Sequence, residues 1–539
     1  MLKKFYGFNI KQIIWFFYPL IVVAIVGWFL IPYTKPFLKE VIAFGLLSSI
    51  FLCFALLFKN LKIRGIVSVL LTFILSTLAF TKLSFYYHYG VKLSASALFV
   101  IFETNATESA EFLNYYLNNF TFLLATVLFV PWLVFSWVSL SQSNSSKIEI
   151  LNLKWIQVGI VSWIIIAGFI IHKKFDEFNI IYTGFSSYSE YQETKKILQN
   201  TLALNESNYI DVESSLSEEQ TYIVVIGEST STWHMQLYGY NRETNPLLTE
   251  IKDDLIVFSD VITPNVHTIL ALDKILTLSD FDNPNAKENA SLVQMANQAG
   301  FTTYWISNQR PVGLHESMST IIGNAADHTY FLATDNYNST IYDDIILPKL
   351  NTVLDQPDKK KMVFIHLIGT HSDYKKRYPD SFKKFSGKNE RTLIQNSKAE
   401  KIVNEYDNAV LFNDYIVRNI IEAARKENKM SYVIYFSDHG DEVFDTMDLM
   451  GHNEYHATKP MHEVPLILWM SNKYKSKNPI SKEWNQYVDR KYNLEDFIHS
   501  FSDLSEIKFN LYDSTRSIFN SSYQKRIRWI KKDEDFDNR

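Results

Sequence analysis

Five long apolar runs, at about 12–32, 41–58, 65–81, 120–140 and 155–171, constrain this chain more than any other feature of its sequence. A segment must supply roughly 20 apolar residues in helical form to cross about 30 Å of hydrocarbon, because lipid offers no partner to backbone N–H and C=O groups. The runs therefore predict five transmembrane helices in a domain over residues 1–175. Lys3, Lys4 and Lys11 precede the first run, as they would in a signal peptide. Four further spans and no small-residue cleavage site follow, so it reads as a retained anchor. The competing reading is that one run is a buried core helix.

Lys and Arg in short loops set the orientation of such a domain. With the N-terminus inside, the cytoplasmic segments collect Lys3, Lys4, Lys11, Lys59, Lys62, Arg64, Lys147 and Lys154. The outer segments collect Lys35, Lys39, Lys82, Lys92, Lys173 and Lys174 over greater length. That bias is modest. The odd number of spans weighs more, since it puts the C-terminal domain opposite the N-terminus, in the periplasm of a bacterium whose inner membrane holds the helices. An amphipathic segment over about 94–118 contains Thr104 and Glu108, four residues apart and so on one face of a helix at the headgroups. A solvated loop is the alternative there.

At 539 residues the chain is too long for one core, and the remainder reads as a linker over 176–220, with a surface helix near 187–200, and a soluble domain over 221–539. A net charge of −5 without a basic stripe argues against nucleic acid as a partner. The single cysteine, Cys53, lies in an apolar run, leaving the soluble part without disulfides or thiolate ligands. Apolar, β-branched runs at Tyr222 to Gly227, Thr302 to Ile306, Met362 to Ile368, Ser431 to Phe436 and Val464 to Trp469 alternate with helical patterns. That pattern predicts an α/β fold with a mostly parallel sheet buried on both faces.

Ligands bind beyond the carboxyl ends of the strands in such sheets. Three of the runs end in reactive residues: Glu228 after Gly227, His371 after Thr370, and Asp438 and His439 after Ser437, with His452 following in Gly451-His452-Asn453. Glu, Asp and His suit a four-coordinate Zn²⁺ that keeps one position for the reacting group. Thr268 opens a helical pattern through Leu270, Ile275 and Leu278. A helix N-terminus favours an anion, and a cation nearby would activate the hydroxyl as a nucleophile. Each residue has a plainer reading: Thr268 as an N-cap, Glu228 as a solvated side chain, Asp438-His439-Gly440 as a turn. Their joint occurrence favours a metal site.

These residues also carry a family resemblance. Val224-Val225-Ile226-Gly227-Glu228-Ser229-Thr230, continuing through Leu237-Tyr238-Gly239-Tyr240-Asn241-Arg242-Glu243-Thr244-Asn245-Pro246, resembles the signature of the phosphoethanolamine transferases, a family that includes the lipid A enzymes of polymyxin resistance. His366 to His371, Tyr406-Asp407-Asn408-Ala409, Ser437 to Gly440, Gly451-His452-Asn453 and His462-Glu463-Val464-Pro465 extend the likeness over nearly the whole chain. The resemblance implies an alkaline-phosphatase-like α/β/α sandwich. It implies that Glu228, Thr268, Asp438 and His439 bind zinc, with Thr268 the nucleophile. His371 and His452 would hold the substrate phosphate, bind a second zinc, or act as acid and base. Thr104 and Glu108 match positions near the ethanolamine group. The lipid A members carry cysteines beside the nucleophile, where this chain has Pro264 and Lys274, and a Ser/Lys pair on substrate, whose neighbourhood here is Ser307-Asn308-Gln309-Arg310. Gln309 and Arg310 are therefore candidate substrate contacts. Thr303 to Gln309 is similar to members that modify lipopolysaccharide core sugars.

The function so implied moves phosphoethanolamine from phosphatidylethanolamine to a lipopolysaccharide or other envelope glycan through a phosphoethanolamine-threonine intermediate, with the enzyme a monomer in the inner membrane. The nearest rival is a phosphoglycerol transferase of the lipoteichoic acid synthase type, which the Tyr-Gly-Tyr-Asn-Arg-Glu-Thr run disfavours. A sulfatase activity lacks its Cys-x-Pro-x-Arg site. A catalytically dead lipid sensor is the reading from a different class, opposed by the complete set of candidate ligands.

Overall fold

The structure, a computed structural model, describes residues 10–31, 34–58, 60–89, 117–141, 154–175, 178, 180–214, 219–309, 318–333, 341–531 and 534–539. It divides into two compact units, with the change between Gln192 and Glu193.

The first unit is helical: α1 (Ile10–Phe16), α2 (Tyr18–Leu30), α3 (Thr34–Leu56), α4 (Leu61–Tyr89), α5 (Asn119–Ser141) and α6 (Lys154–Lys174), followed by α7 (Ile180–Thr201), which carries the unit boundary. Helices α3 to α6 are long and apolar enough to cross a membrane. Four of the five expected spans are thus single helices of that length, and the first, over 12–32, is divided between α1 and α2. The expected first span breaks at Phe17, because Pro19 at the start of α2 has no N–H to donate back and its ring crowds the preceding turn. The 13 residues of α2 reach only about 20 Å at 1.5 Å per residue. Phe122, Trp137, Trp155 and Phe169 are exposed, as suits helices surrounded by lipid. Polar groups turn inward: the Tyr18 hydroxyl meets Ser76 Oγ at 2.5 Å, and Trp132 Nε1 donates to the Val69 carbonyl at 3.0 Å. The amphipathic segment expected over about 94–118, with Thr104 and Glu108, lies outside the described residues apart from its last two positions.

The second unit is built on a seven-stranded sheet. Its strands are β1 (Gln220–Gly227), β2 (Leu255–Phe258), β3 (Thr302–Ser307), β4 (His328–Phe331), β5 (Lys360–His366), β6 (Met430–Ser437) and β7 (Leu466–Met470), in the spatial order β2-β7-β6-β1-β5-β3-β4. The sheet is mixed: four of its six strand pairings are parallel, and β7, read from Val464 to Trp469 as one more parallel strand, runs antiparallel to both β6 and β2. Burial on both faces makes any strand a continuous apolar run and leaves no trace of its direction. The central trio β6-β1-β5 is parallel throughout.

Alternation along β1 sends Tyr222, Val224 and Ile226 to one face, into a core shared with α8 (Thr268–Ile275), α9 (Leu292–Gln298) and α12 (Phe497–Ser505). The opposite face meets α10 (Ile346–Leu354) and the 30-residue α11 (Ser397–Lys426), whose Asn413 amide donates to the Tyr435 hydroxyl of β6 at 2.6 Å. Every residue of β1 and β6 is buried. The rim where β6, β1 and β5 end is therefore held by strands buried along almost their whole length.

Candidate active site

Because β6, β1 and β5 are adjacent and parallel, the residues that follow them share one rim. Glu228 leaves β1, Asp438 and His439 leave β6, and the segment Leu367 to His371 leaves β5. Gly369 makes the crossing possible. At φ +51° it passes so close to Glu228 that an added Cβ would lie 2.6 Å from the Glu228 carbonyl oxygen. The Thr370 N–H then donates to that carbonyl at 2.9 Å. Thr268, first residue of α8, points its hydroxyl at the same place, 3.2 and 3.1 Å from the two Glu228 carboxylate oxygens and 3.4 Å from His439 Nε2.

Glu228, Asp438 and His439 are all buried, and one donor atom from each lies within 4.8 Å of the others. The His439 Nε2 is 3.1 Å from Glu228 Oε1 and 3.6 Å from Asp438 Oδ2. Asp438 Oδ1 accepts the His439 and Ser229 N–H groups at 2.7 and 3.2 Å, while its buried Oδ2 has no hydrogen-bond partner. His439 Nδ1 lies 3.0 Å from the Gly440 carbonyl, so the ring donates there while Nε2 faces the two carboxylates; burial pushes its pKa down, but the charge of Asp438 and the hydrogen bond and charge of Glu228 overcome that and lift it to about 10. An orphaned carboxylate oxygen, a second carboxylate and a ring nitrogen that gives up its proton when it binds a metal, all facing one hydroxyl, fit a divalent cation. Burial raises Glu228, but the hydrogen bond and charge of His439, with His371 and His366 beyond, outweigh it and hold the carboxyl well below its usual range. Asp438 goes the other way, raised by burial and by the Glu228 charge.

A second group joins this one through His439. His452 Nδ1 is 2.7 Å from Asp441 Oδ1, Asp441 Oδ2 accepts from the Tyr374 hydroxyl at 2.7 Å, and donor atoms of His439, Asp441 and His452 again lie within 4.8 Å of one another. The His452 ring meets those of His439 and His267 edge-on, with centroids 4.2 and 5.0 Å apart. Burial, then the charge of His439, pushes His452 down; burial and both histidines push His267 down further.

Of the residues singled out from sequence, Glu228, Thr268, Asp438, His439 and His452 come together. His371 sits beside them, close enough for its charge to act on Glu228. Gln309 joins as well, donating from Nε2 to Glu228 Oε2 at 3.1 Å and to the Leu367 carbonyl at 3.0 Å. Arg310, Thr104 and Glu108 lie outside the described residues. His267 and Asp441 belong to the cluster without having been singled out. Asp441 stands three residues beyond Asp438, and a carboxylate near a candidate histidine was the available signal.

The signature around Tyr240 serves the scaffold. The Tyr240 hydroxyl and Arg242 NH1 donate to Asp407 Oδ2 at 2.9 and 2.6 Å, and His234 Nδ1 lies 2.6 Å from Asp407 Oδ1. Two motifs far apart in the chain thus lock together beneath the rim.

The sulfatase family matches residues 220–507. Phosphoethanolamine transferase EptC of Escherichia coli is 34% identical over 517 residues, covering 90% of this chain and 87% of the relative. This chain belongs to the phosphoethanolamine transferase family. Phosphoethanolamine transferase CptA of Salmonella typhimurium is 32% identical over 516 residues, with the same coverage of 90% and 87%. Among solved structures, the C-terminal periplasmic domain of EptC from E. coli in complex with Zn is 35% identical and superposes with a TM-score of 0.59, over 62% of this chain and 97% of that one. The chain is thus a transferase with a sulfatase-type α/β domain and apolar N-terminal helices.

Proposed function

We propose that this enzyme transfers phosphoethanolamine from phosphatidylethanolamine to a lipopolysaccharide or other envelope glycan, through a phosphoethanolamine-threonine intermediate on Thr268. The observation that carries the reading is the Thr268 hydroxyl at the first turn of α8, within 3.1 to 3.4 Å of Glu228 and His439. Similarity to EptC and CptA over nine-tenths of the chain favours this donor over the phosphatidylglycerol of the lipoteichoic acid synthases.

We assign Glu228, Thr268, Asp438 and His439 as ligands of Zn²⁺, a set of three oxygens and one nitrogen that suits a four-coordinate site. The zinc complex of the E. coli EptC domain supports the choice of metal. When bound, the cation lowers the pKa of the threonine hydroxyl and offsets charge on the phosphoryl oxygens. Thr268 Oγ1 attacks phosphorus, the bond from phosphorus to the glycerol oxygen breaks, and diacylglycerol leaves with the proton. An acceptor hydroxyl then loses its proton and attacks the same phosphorus, the bond to Thr268 breaks, and the threonine oxygen takes up a proton to restore its hydroxyl. His452, oriented by Asp441, and His371 hold and pass these protons. Gln309 braces Glu228 through its amide. Arg310 is assigned to the phosphate, and Thr104 and Glu108 to the ethanolamine.

A membrane domain over 1–175 and a linker over 176–220 would keep the periplasmic domain, 221–539, at the bilayer surface where the donor lipid lies. The enzyme is proposed to act as a monomer. Intact-mass measurement after incubation with phosphatidylethanolamine is expected to show one phosphoethanolamine adduct that Thr268→Ala abolishes. An adduct that survives the substitution would place the nucleophile elsewhere, and an adduct formed only with phosphatidylglycerol would favour the rival donor.

A further inference from the structure

The loop that delivers Thr268 is pinned by a carboxylate that the chemistry above leaves unused. Residues 263–267 connect a short strand, Val261–Ile262, to α8, and with Cys53 the only cysteine no disulfide can brace them. Nor does the helix start cap itself. His267 occupies the N-cap in an extended conformation, φ −118° and ψ 134°, and its side chain makes no capping hydrogen bond.

One end of the loop is anchored by Thr263, whose hydroxyl donates to the Asp438 carbonyl at 2.5 Å. The other end is held by Glu454, from the loop that carries His452. Glu454 Oε1 accepts from the Asn265 side-chain amide at 3.1 Å and from the Val266 N–H at 2.8 Å. Between them, Val266 is fully buried against Leu449 and Met461. Two hydrogen bonds to one ionisable oxygen thus hold the two residues that precede His267 and Thr268. A carboxylate acceptor makes each stronger than a neutral pair.

We propose that Glu454 is a positioning residue for Thr268, a noncovalent latch that couples the His452 loop to the start of α8 and sets where the Thr268 hydroxyl stands. The proposal rests on the reading of Thr268 as the nucleophile. Since both donors converge on one oxygen, glutamine at this position keeps the latch and alanine removes it.

The test compares full-length wild type, Glu454→Ala and Glu454→Gln in detergent with phosphatidylethanolamine. Adduct formation on Thr268 is expected to slow about a hundredfold in Glu454→Ala, the scale on which a displacement of about 1 Å acts. Bound zinc is expected to match wild type, and Glu454→Gln to stay within about threefold of the wild-type rate, since it keeps the acceptor. Backbone amide exchange over 264–270, read without any reaction, is expected to rise in Glu454→Ala alone. Asn265→Ala, which deletes one of the two donors, replaces Glu454→Ala if that variant fails to fold. An unchanged adduct rate in the alanine variant, or a glutamine variant as slow as alanine, overturns the latch. Absence of an adduct in wild type would strike the nucleophile reading instead, and the exchange comparison then decides the latch alone.

Discussion

The Tyr406 hydroxyl donates to the Ser229 carbonyl at 2.7 Å and accepts the Ser231 N–H at 2.9 Å, so one side chain of α11 grips both sides of the turn that follows Glu228. Ser229 stands at φ 60°, a left-handed conformation that costs a residue with a side chain about 1–2 kcal/mol. Tyr406→Phe leaves two buried backbone groups unpaired and is expected to lower stability by about 1–3 kcal/mol. Zinc affinity is expected to fall with it, because Glu228 is the adjacent residue. Denaturation midpoints and a zinc titration check both. Lost stability with unchanged zinc affinity would detach the turn from the metal.

The buried His234 makes stability depend on alkaline pH. Burial pushes its pKa down, but the charges of Asp445 and Asp407 and their hydrogen bonds overcome that and lift it to about 10. In the unfolded chain a histidine titrates near 6.5. A raised folded-state pKa means the contribution is complete below about 6.5 and drains away as pH climbs through about 10. The denaturation midpoint of wild type is expected to fall between pH 7 and 10, and His234→Gln to show a smaller fall from a lower start. Equal pH dependence in the two proteins would contradict this.

Inside the helical unit Lys82 of α4 pairs with Glu40 of α3, and both are buried. Removing one member strands a charge where neither water nor lipid can solvate it, at a cost of about 3–5 kcal/mol. Lys82→Met is therefore expected to destabilise the full-length protein in detergent strongly. Adding Glu40→Leu is expected to recover most of the loss. A double variant no more stable than the single one would show that packing at these positions outweighs the pair.

The strand ends were legible in the sequence because β1, β5 and β6 are apolar runs that stop at Glu228, Leu367 to His371, and Asp438-His439. A register in which reactive residues follow buried strands can be read without coordinates. Direction cannot, since an all-apolar strand such as Leu466–Met470 looks the same either way, and its antiparallel course escaped notice. Short elements escaped too: Leu255–Phe258 and His328–Phe331 have four residues each, too few to show a period. An apolar run does not display the effect of Pro19, whose consequence is local hydrogen bonding. Asp441 was passed over because its importance lies in orienting His452 across an eleven-residue gap, a relation of space. The Tyr240 to Arg242 signature was visible as a motif, but its attachment to Asp407 and His234 required the fold.

Glu228, Thr268, Asp438 and His439 are proposed to share one zinc ion and thereby present the Thr268 oxygen to a phosphorus atom. Diffraction at the zinc edge from crystals of the full-length protein tests it most directly. A single dominant anomalous peak is expected about 2.0–2.2 Å from Glu228, Asp438, His439 Nε2 and Thr268 Oγ1. A peak ligated by other side chains, or one from which Thr268 is absent, would contradict it.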